Sequence, residues 1–268
     1  MRATQPLIVL MTDFGLQDPY AGIMKGVIAG ISPHTRVIDL THCISAQNLL
    51  HGALLLGSSA PYFPDGTIFT AVVDPGVGTA RNAIALVTEK QVFIAPDNGL
   101  LSAVMTTENI KGCFAITNPS FMLAGKSATF HGRDVFSPAA AHLANGVEPS
   151  RLGKAVNPDS CICIDFPENS PCDSGSSWEG TVLYADVYGN LITSFTGDMI
   201  TGKENTAGIR TENGNILSVC RTYADVAQGV ALAYTGSSGY LEIAIRNGNA
   251  LRMLGLEAGD RITLLLNR

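Results

Sequence analysis

The chain has 268 residues, a formal net charge of −6, 46% hydrophobic residues and 15% charged residues. The hydrophobic share can form a substantial core and excludes a chain that is mainly disordered. The acidic balance lacks the basic excess of duplex nucleic-acid binders and of proteins that bind anionic membranes, so we expect neither partner. Six scattered cysteines without a Cys-x-x-Cys pair, together with the lack of a signal-peptide pattern, predict a cytoplasmic protein.

The first part of the chain alternates strand and helix signals. Apolar runs predict strands over residues 7–11, 36–40, 67–73 and 112–117, and a hairpin over 83–87 and 91–95. Apolar residues at helical spacing predict helices over residues 20–31, 46–60 and 134–144. This alternation indicates an N-terminal α/β domain over residues 1–165.

A change in composition follows this domain. Residues 166–178 are rich in Pro, Ser and Gly, which predicts a linker. Short strand-like runs then lie at residues 180–187, 191–195, 208–210, 216–219, 240–245 and 261–266. Asn213-Gly214 is a strong hairpin signal. Short strands with frequent turns predict a small barrel or sandwich over residues 179–268.

Aspartates follow three of the predicted strands. Asp13, Asp74 and Asp97 lie where ligands bind in open α/β sheets, beyond the carboxyl ends of the strands. Each could instead cap a helix or stabilise a glycine turn, and this reading is favoured for Asp97 before Asn98-Gly99. Arg81 follows Asp74 closely and strengthens the prediction of a site.

Two further groups of residues could contribute chemistry. His131 precedes Gly132, Arg133 and Asp134, and an imidazole in this setting could orient or deprotonate a water, although such a histidine is more often structural. Turns at residues 186–190, 236–239 and 246–249 could be hairpins only, or could supply an aromatic face, amides and hydroxyls for a purine and an amino acid. Walker A, G-x-S-x-G and H-E-x-x-H motifs are all missing from the sequence.

Together these motifs resemble the S-adenosyl-L-methionine (SAM) hydroxide adenosyltransferases, the SAM hydrolases related to fluorinase and chlorinase. The residues that carry the resemblance are Thr12-Asp13-Phe14-Gly15 with Asp18, Tyr20 and Met24-Lys25-Gly26; Asp74-Pro75-Gly76-Val77-Gly78-Thr79 with Arg81; Ala95-Pro96-Asp97-Asn98-Gly99-Leu100; Thr129-Phe130-His131-Gly132-Arg133-Asp134; Asp186 to Asn190; Tyr223-Ala224-Asp225; and Gly236-Ser237-Ser238-Gly239. The resemblance implies an N-terminal three-layer α/β domain, a C-terminal β-barrel and a homotrimer with its sites at subunit interfaces. It also implies that SAM is the substrate and that no cofactor or metal is required.

The resemblance further implies the role of each site residue. His131 and Asp74 would hold and polarise a water that attacks ribose C5′, giving adenosine and L-methionine, and Arg81 would orient Asp74 and tune the charge of the group. The halogenating relatives have Tyr in place of Asp74 and Tyr-Ser in place of His131-Gly132, so this chain favours water as the nucleophile. The implied substrate contacts are Asp13 for the ribose hydroxyls; Asp18, Asp186, Ser237 and Ser238 for the methionine end; Tyr188 and Asn190 for adenine; Arg246, Asn247 and Gly248 over the base; and, without a more specific role, Phe130 and Gly132.

Two alternative functions are compatible with the same residues. Asp13, Asp74, Asp97 and His131 could serve a metal-dependent phosphohydrolase. A sensor that binds SAM or adenosine with little turnover would use the same binding residues.

Overall fold

The computed structural model describes residues 6–172 and 175–267. The chain divides after Ile164 into two compact units. Over the described ranges, none of the helices combines the length and the apolar character that crossing a bilayer requires.

The first unit is built on a mixed six-stranded sheet. Its strands are β1 (Leu7–Thr12), β2 (Arg36–Thr41), β3 (Ile68–Val72), β4 (Ala83–Thr88), β5 (Val92–Pro96) and β6 (Ile110–Ala115). The strand order is β2-β1-β3-β5-β4-β6. Strands β2, β1, β3 and β5 are parallel, whereas β4 pairs antiparallel with both β5 and β6. The predicted hairpin is therefore confirmed as β4–β5.

Helices cover both faces of this sheet and give the expected three layers. The helices are α1 (Tyr20–Ile31), α2 (Leu49–Ser59), α3 (Ser102–Thr107) and α4 (Ser137–Ala144), and a π-helix over Gly132–Phe136 runs into α4. On β1, Ile8 and Leu10 pack on the side of α1 and α4, while Val9 and Met11 pack on the side of α2. Successive side chains of a strand point to opposite faces of the sheet, and both faces are buried at β1. This explains why β1 is apolar throughout.

Two helix boundaries differ from the sequence prediction. Helix α2 begins at Leu49, since the Asn48 side chain accepts a hydrogen bond from the backbone N–H of His51 at 2.9 Å and caps the first turn. The last predicted helix begins earlier than expected, as the π-helix from Gly132. A π-turn of this kind is common at functional sites and has no periodic signature in the sequence.

The second unit is an antiparallel, nearly closed barrel. Its strands are β7 (Ser170–Cys172), β8 (Ser177–Ala185), β9 (Leu191–Thr196), β10 (Gly208–Thr211), β11 (Ile216–Ser218), β12 (Ala231–Thr235), β13 (Tyr240–Ile245) and β14 (Arg261–Leu265), with a short helix α5 (Ala250–Leu254). The order is β11-β10-β14-β8-β9-β13-β12, and β7 pairs with β8. The N–H of Cys220 donates to the carbonyl of Ala233 at 2.8 Å, which brings the two outer strands together.

The barrel confirms one of the two architectures that the sequence left open, and it adds strands that were not predicted. The turn at Asn213-Gly214 joins β10 to β11 as expected, with Gly214 at φ +81°. Strand β12 has only five residues and was missed. Strand β7 and the start of β8 lie in the segment expected to be a linker, because their pairing depends on cross-strand partners and not on local sequence.

Candidate active site

A cavity of about 650 Å³ lies in the first unit, and we call it the sheet-edge cavity. Its lining residues are Asp13, Phe14, Tyr20, Gln47, Val72, Asp74, Pro75, Val77, Ser127, Thr129, Phe130, His131, Gly132 and Arg133. Strands β1 and β3 are parallel neighbours, and Thr12 pairs with Val72 at their carboxyl ends. The residues that follow these strands therefore emerge side by side, which is the arrangement expected for a ligand site in such a sheet.

Asp13 is fixed by a loop that the sequence analysis did not identify. Its Oδ2 accepts a hydrogen bond from the backbone N–H of Gln47 at 2.8 Å. Gln47 has φ +60°, a conformation that is uncommon for residues other than glycine and is often found at functional sites. The sequence carries no signal for this conformation, since glutamine has no preference for it.

Asp74, Arg81 and His131 form one hydrogen-bonded group at the cavity. The guanidinium of Arg81 donates to both carboxylate oxygens of Asp74, from Nε at 3.0 Å and from Nη2. Nη2 of Arg81 also lies 2.8 Å from Nδ1 of His131. The side chains of Arg81 and Asp74 are only 8% and 5% exposed. A bidentate pair shielded in this way holds the carboxylate in a fixed orientation.

The imidazole of His131 is neutral in this setting. Burial and the nearby positive charges of Arg81 and Lys126 lower the pKa of His131, and the carboxylates of Asp74 and Asp134 oppose this only in part. A guanidinium has hydrogen-bond donors and no acceptor, so Nδ1 of His131 must accept from Arg81. The neutral ring therefore carries its proton on Nε2, and this N–H has no partner among the described residues.

Gly78 brings the Asp74–Arg81 loop against the segment that carries His131. Its φ is +81°, and a Cβ at this position would lie 2.7 Å from the carbonyl oxygen of Ala128. Only glycine combines this backbone conformation with so close an approach. The glycine that the sequence showed as part of a motif thus has a specific task, which is to bring two distant loops together.

The segment before His131 is anchored by Asp134, which is buried. Oδ2 of Asp134 accepts from the backbone N–H of Ser127 at 2.7 Å, and its two oxygens accept from Nε and Nη2 of Arg133 at 2.6 and 2.9 Å. Burial alone would raise the pKa of Asp134, but these hydrogen bonds hold it below its usual value. Asp134 is therefore an ionised structural anchor for the cavity wall.

Three aromatic rings form an apolar wall of the cavity. Phe14, Tyr20 and Phe130 contact one another edge to face, with ring centroids 5.3 to 5.9 Å apart. Gly132 lies beside this group, and a Cβ there would be 3.2 Å from Sδ of Met24. An apolar wall beside a charged cluster lowers the local dielectric and strengthens the electrostatic interactions of the cluster.

The remaining predicted residues of the N-terminal domain lie outside this cavity. Asp18 is exposed and is not among the lining residues. Asp97 is buried, and its Oδ1 accepts from the backbone N–H of Ile162 at 2.8 Å. In residues 6–172 and 175–267, no group of three or more His, Cys, Asp or Glu side chains has an arrangement that could hold a metal ion.

In the second unit, the predicted residues 186–190 form one ordered turn. Oδ1 of Asp186 accepts from the backbone N–H groups of Tyr188 and Asn190 at 2.9 and 2.8 Å. Oδ2 of Asp186 accepts from Nδ2 of Asn190 at 2.9 Å. The side chain of Tyr188 is 74% exposed, so an apolar ring is available for stacking on a ligand.

The other predicted residues of the second unit lie on two turns. Ser237 is exposed and Ser238 is partly buried, both on the turn between β12 and β13. Asn247 is exposed at φ +55°, and Gly248 follows it. Nη1 of Arg246 donates to the carbonyl of Val226 at 2.6 Å, so this side chain braces the short helix that carries Tyr223. Tyr223 belongs to a motif that the sequence analysis identified without giving it a role.

The chain is similar to known proteins over nearly its whole length. Residues 8–153 match the model of the SAM hydroxide adenosyltransferase N-terminal domain, and residues 180–263 match that of the C-terminal domain. A protein named (R)-S-adenosyl-L-methionine hydrolase from Thermus thermophilus is 38% identical over 96% of this chain and 99% of its own length. A protein of the same name from Salinispora tropica is 38% identical over 97% of this chain and 98% of its own. The crystal structure of an uncharacterized conserved protein from Thermotoga maritima superposes with a TM-score of 0.90 at 32% identity, covering 96% of this chain and 99% of that one.

Proposed function

The chain belongs to the SAM hydroxide adenosyltransferase family and is an enzyme that hydrolyses SAM, and from this premise we propose that Asp74, Arg81 and His131 direct a water molecule at C5′ of the SAM ribose. The products are adenosine and L-methionine. The observation that carries this assignment is the hydrogen-bonded group of these three side chains at the sheet-edge cavity, in which the side chains of Arg81 and Asp74 are nearly buried.

The reaction is a displacement that needs a nucleophile and no acid. The water oxygen forms a bond to C5′, the bond from C5′ to the sulfonium sulfur breaks, and its electron pair stays on sulfur. Methionine departs as a neutral thioether, so its departure requires no proton. The water loses one proton, and the overall balance is SAM plus water giving adenosine, methionine and H⁺. Catalysis therefore depends on placing the water in line with the breaking bond, and positioning of this kind can contribute about 7 kcal/mol or more.

The hydrogen bonds within the group suggest different tasks for His131 and Asp74. Nδ1 of His131 is occupied by Arg81, so the imidazole holds the water through Nε2–H and does not take its proton in this arrangement. Asp74 retains further acceptor capacity on its two oxygens beyond the bonds from Arg81. We assign Asp74 as the group that polarises the water, and Arg81 as the residue that orients both partners.

The substrate-binding roles follow the positions of the residues in the two units. Asp13 accepts the two ribose hydroxyls, and Phe130 and Gly132 line the cavity beside C5′. Tyr188 stacks on adenine and Asn190 bonds its edge, while Arg246, Asn247 and Gly248 close over the base. The residues proposed for the methionine end are Asp18, Asp186, Ser237 and Ser238.

Turnover of SAM in water labelled with oxygen-18 tests the reaction directly. We expect adenosine and methionine in equal amounts, with the label in the 5′-hydroxyl of adenosine as shown by mass spectrometry. Label-free adenosine in a single turnover would mean that a carboxylate oxygen of the protein, and not water, formed the bond to C5′. SAM binding without any adenosine above the buffer rate would overturn hydrolysis and would favour a sensor of SAM.

We further propose a homotrimer in which the site combines the first unit of one subunit with the second unit of its neighbour. The proposed catalytic residues lie in the first unit and the proposed adenine contacts in the second, where Val187 and Tyr188 are 89% and 74% exposed. Light scattering tests the trimer. Coexpressed Asp74→Ala and Asn190→Ala chains test the shared site, because mixed trimers would regain activity that neither variant has alone. A monomer, or a mixture without recovered activity, would overturn this part of the proposal.

The proposed setting is the cytoplasm, with SAM as substrate and no metal or other cofactor. The six cysteines, each within the described ranges, form no disulfide with one another, which suits a reducing compartment. Cell fractionation tests the compartment. Turnover that survives treatment with a metal chelator is the result expected for the reaction without metal, and turnover abolished by the chelator and restored by a divalent cation would contradict it.

A further inference from the structure

A continuous chain of hydrogen bonds runs from the turn at residues 186–190 to the buried side chain of Glu242 on β13, and we call it the Glu242 chain. Nδ2 of Asn190 lies 3.1 Å from Oη of Tyr223, the hydroxyl of Tyr223 bonds that of Tyr234, and the hydroxyl of Tyr234 donates to Oε2 of Glu242. Glu242 is buried at 9% exposure, and Asn190 is buried at 7%. Buried polar groups linked in this way restrict one another to a single arrangement.

The direction of the hydrogen bonds along the chain follows from its chemistry. Burial and the hydrogen bond to Glu242 raise the pKa of Tyr234, so this phenol stays protonated. Its hydroxyl donates a hydrogen bond to the carboxylate of Glu242. Since the hydroxyl hydrogen of Tyr234 is directed at Glu242, the oxygen of Tyr234 accepts a hydrogen bond from the hydroxyl of Tyr223. The oxygen of Tyr223 then accepts an N–H of Asn190.

Both N–H groups of the Asn190 amide are therefore used within the protein. One donates to Tyr223 and the other to Oδ2 of Asp186. The amide oxygen, Oδ1, has no hydrogen-bond partner among the described residues. The exposed part of Asn190 is thus a hydrogen-bond acceptor, held in one orientation by its neighbours.

Gly236 allows the backbone to pack against Glu242, the last residue of the Glu242 chain. A Cβ at residue 236 would overlap the carboxylate of Glu242, so the backbone of the turn that carries Ser237 and Ser238 packs directly on this side chain. Glu242 consequently contacts the turn proposed for the methionine end and, through the two tyrosines, Asn190. One buried carboxylate supports both parts of the second unit's proposed binding surface.

From this geometry we infer that Tyr223, Tyr234 and Glu242 are positioning residues that make the site select a 6-amino purine over a 6-oxo purine. The inference rests on the proposed function, in which Asn190 bonds the edge of the base. Adenine presents an N–H donor at its 6-position, which matches the free Oδ1 of Asn190. Hypoxanthine presents an oxygen there, which would face Oδ1 with no proton between them. An unpaired acceptor facing a second acceptor weakens binding by about tenfold or more.

The test measures the affinities of adenosine and inosine by calorimetry on the full-length protein. We expect the wild type to bind adenosine at least about tenfold more tightly than inosine. Tyr223→Phe removes the acceptor that occupies one Asn190 N–H, so this N–H becomes available to the 6-oxygen of inosine. The affinity ratio should fall toward one, mainly because inosine binds better. Tyr234→Phe should lower the ratio in the same direction.

Tyr240→Phe is the matched control, because Tyr240 lies on β13 with Glu242 but makes no side-chain hydrogen bond to other described residues. Tyr223 is 37% exposed, so Tyr223→Phe is expected to fold even if Tyr234→Phe unfolds at a lower temperature than the wild type. A wild type that binds the two nucleosides equally, or an unchanged ratio in Tyr223→Phe, would overturn the inference. Release of adenosine from SAM by the wild type is measured separately. If the wild type released no adenosine, the proposed function would be overturned, but the ratio of the two nucleoside affinities would still decide the inference.

Discussion

Nη2 of Arg81 lies 2.8 Å from Nδ1 of His131, and this contact determines which nitrogen of the imidazole carries the proton. Because arginine can only donate, the bond exists only while Nδ1 is unprotonated. Protonation of His131 would bring two N–H groups together and would add a positive charge beside Arg81. The geometry of the proposed catalytic group is therefore coupled to the charge of one histidine.

The first prediction concerns the pH dependence of kcat/KM. Burial and the charge of Arg81 lower the pKa of His131, so the active neutral form persists below the usual imidazole value of about 6.5. We expect activity to be constant near neutral pH and to fall only at a lower pH, where His131 becomes protonated. In Arg81→Ala the remaining activity should fall at a higher pH, because a positive charge is lost while Asp74 stays.

Lys126→Ala is the control for this pH profile. Lys126 is exposed and lowers the pKa of His131 by charge alone. Its removal should therefore shift the acid limb, the fall of kcat/KM at low pH, by less than Arg81→Ala does, and added salt should cancel this smaller shift. An acid limb at the same pH in the wild type and Arg81→Ala would show that the limb does not report on His131.

The second prediction separates catalysis from binding. Asp74→Ala and His131→Ala should each lower kcat by about 100-fold or more, because each removes a group that holds or polarises the water. SAM affinity, measured by calorimetry, should change less than kcat. Asp65→Asn is a suitable control, since Asp65 is exposed and lies outside the cavity. Unchanged kcat in both alanine variants would remove these residues from the mechanism.

The third prediction concerns Asp13. Asp13→Asn keeps the shape of the side chain but leaves one acceptor oxygen in place of two, so one ribose hydroxyl loses its partner. We expect KM for SAM to rise about 10- to 100-fold, with a smaller effect on kcat. With a 2′-deoxyribose analogue of SAM, the difference between the wild type and Asp13→Asn should shrink. An equally large difference with the deoxy analogue would mean that Asp13 does not bind that hydroxyl.

The fourth prediction uses two glycines with the same backbone conformation. Gly78 and Gly66 both have φ +81°, but a Cβ at Gly78 would meet the carbonyl of Ala128, whereas one at Gly66 would meet nothing within 4 Å. Gly66→Ala should lower thermal stability slightly, by the cost of the positive φ alone. Gly78→Ala should also separate the Asp74–Arg81 loop from His131 and lower kcat by more than about tenfold. Equal kcat in the two variants would show that this close approach does not matter for catalysis.

Local sequence was sufficient to predict most of the elements. The apolar run of β1 and the helical spacing in α1 predicted their positions closely, because burial on two faces or on one stripe leaves a periodic record in the chain. The Asn213-Gly214 hairpin was equally clear. Strand β12 and the π-helix at Gly132–Phe136 were not predicted, since their form depends on pairing and packing with distant residues.

The sequence by itself predicted a site where Asp13 and Asp74 follow their strands, because ligands bind beyond the carboxyl ends of the strands in open α/β sheets. The parallel pairing of β1 and β3 places both residues at the sheet-edge cavity. Local sequence also singled out Arg81 and His131, and the motif resemblance grouped them with Asp74 as one catalytic set. Only the tertiary structure decided the tautomer of His131, the use of Gln47 to hold Asp13, and the chain from Asn190 to Glu242. These features are contacts between residues far apart in the chain, and their geometry depends on distances of a few ångströms that no local pattern records.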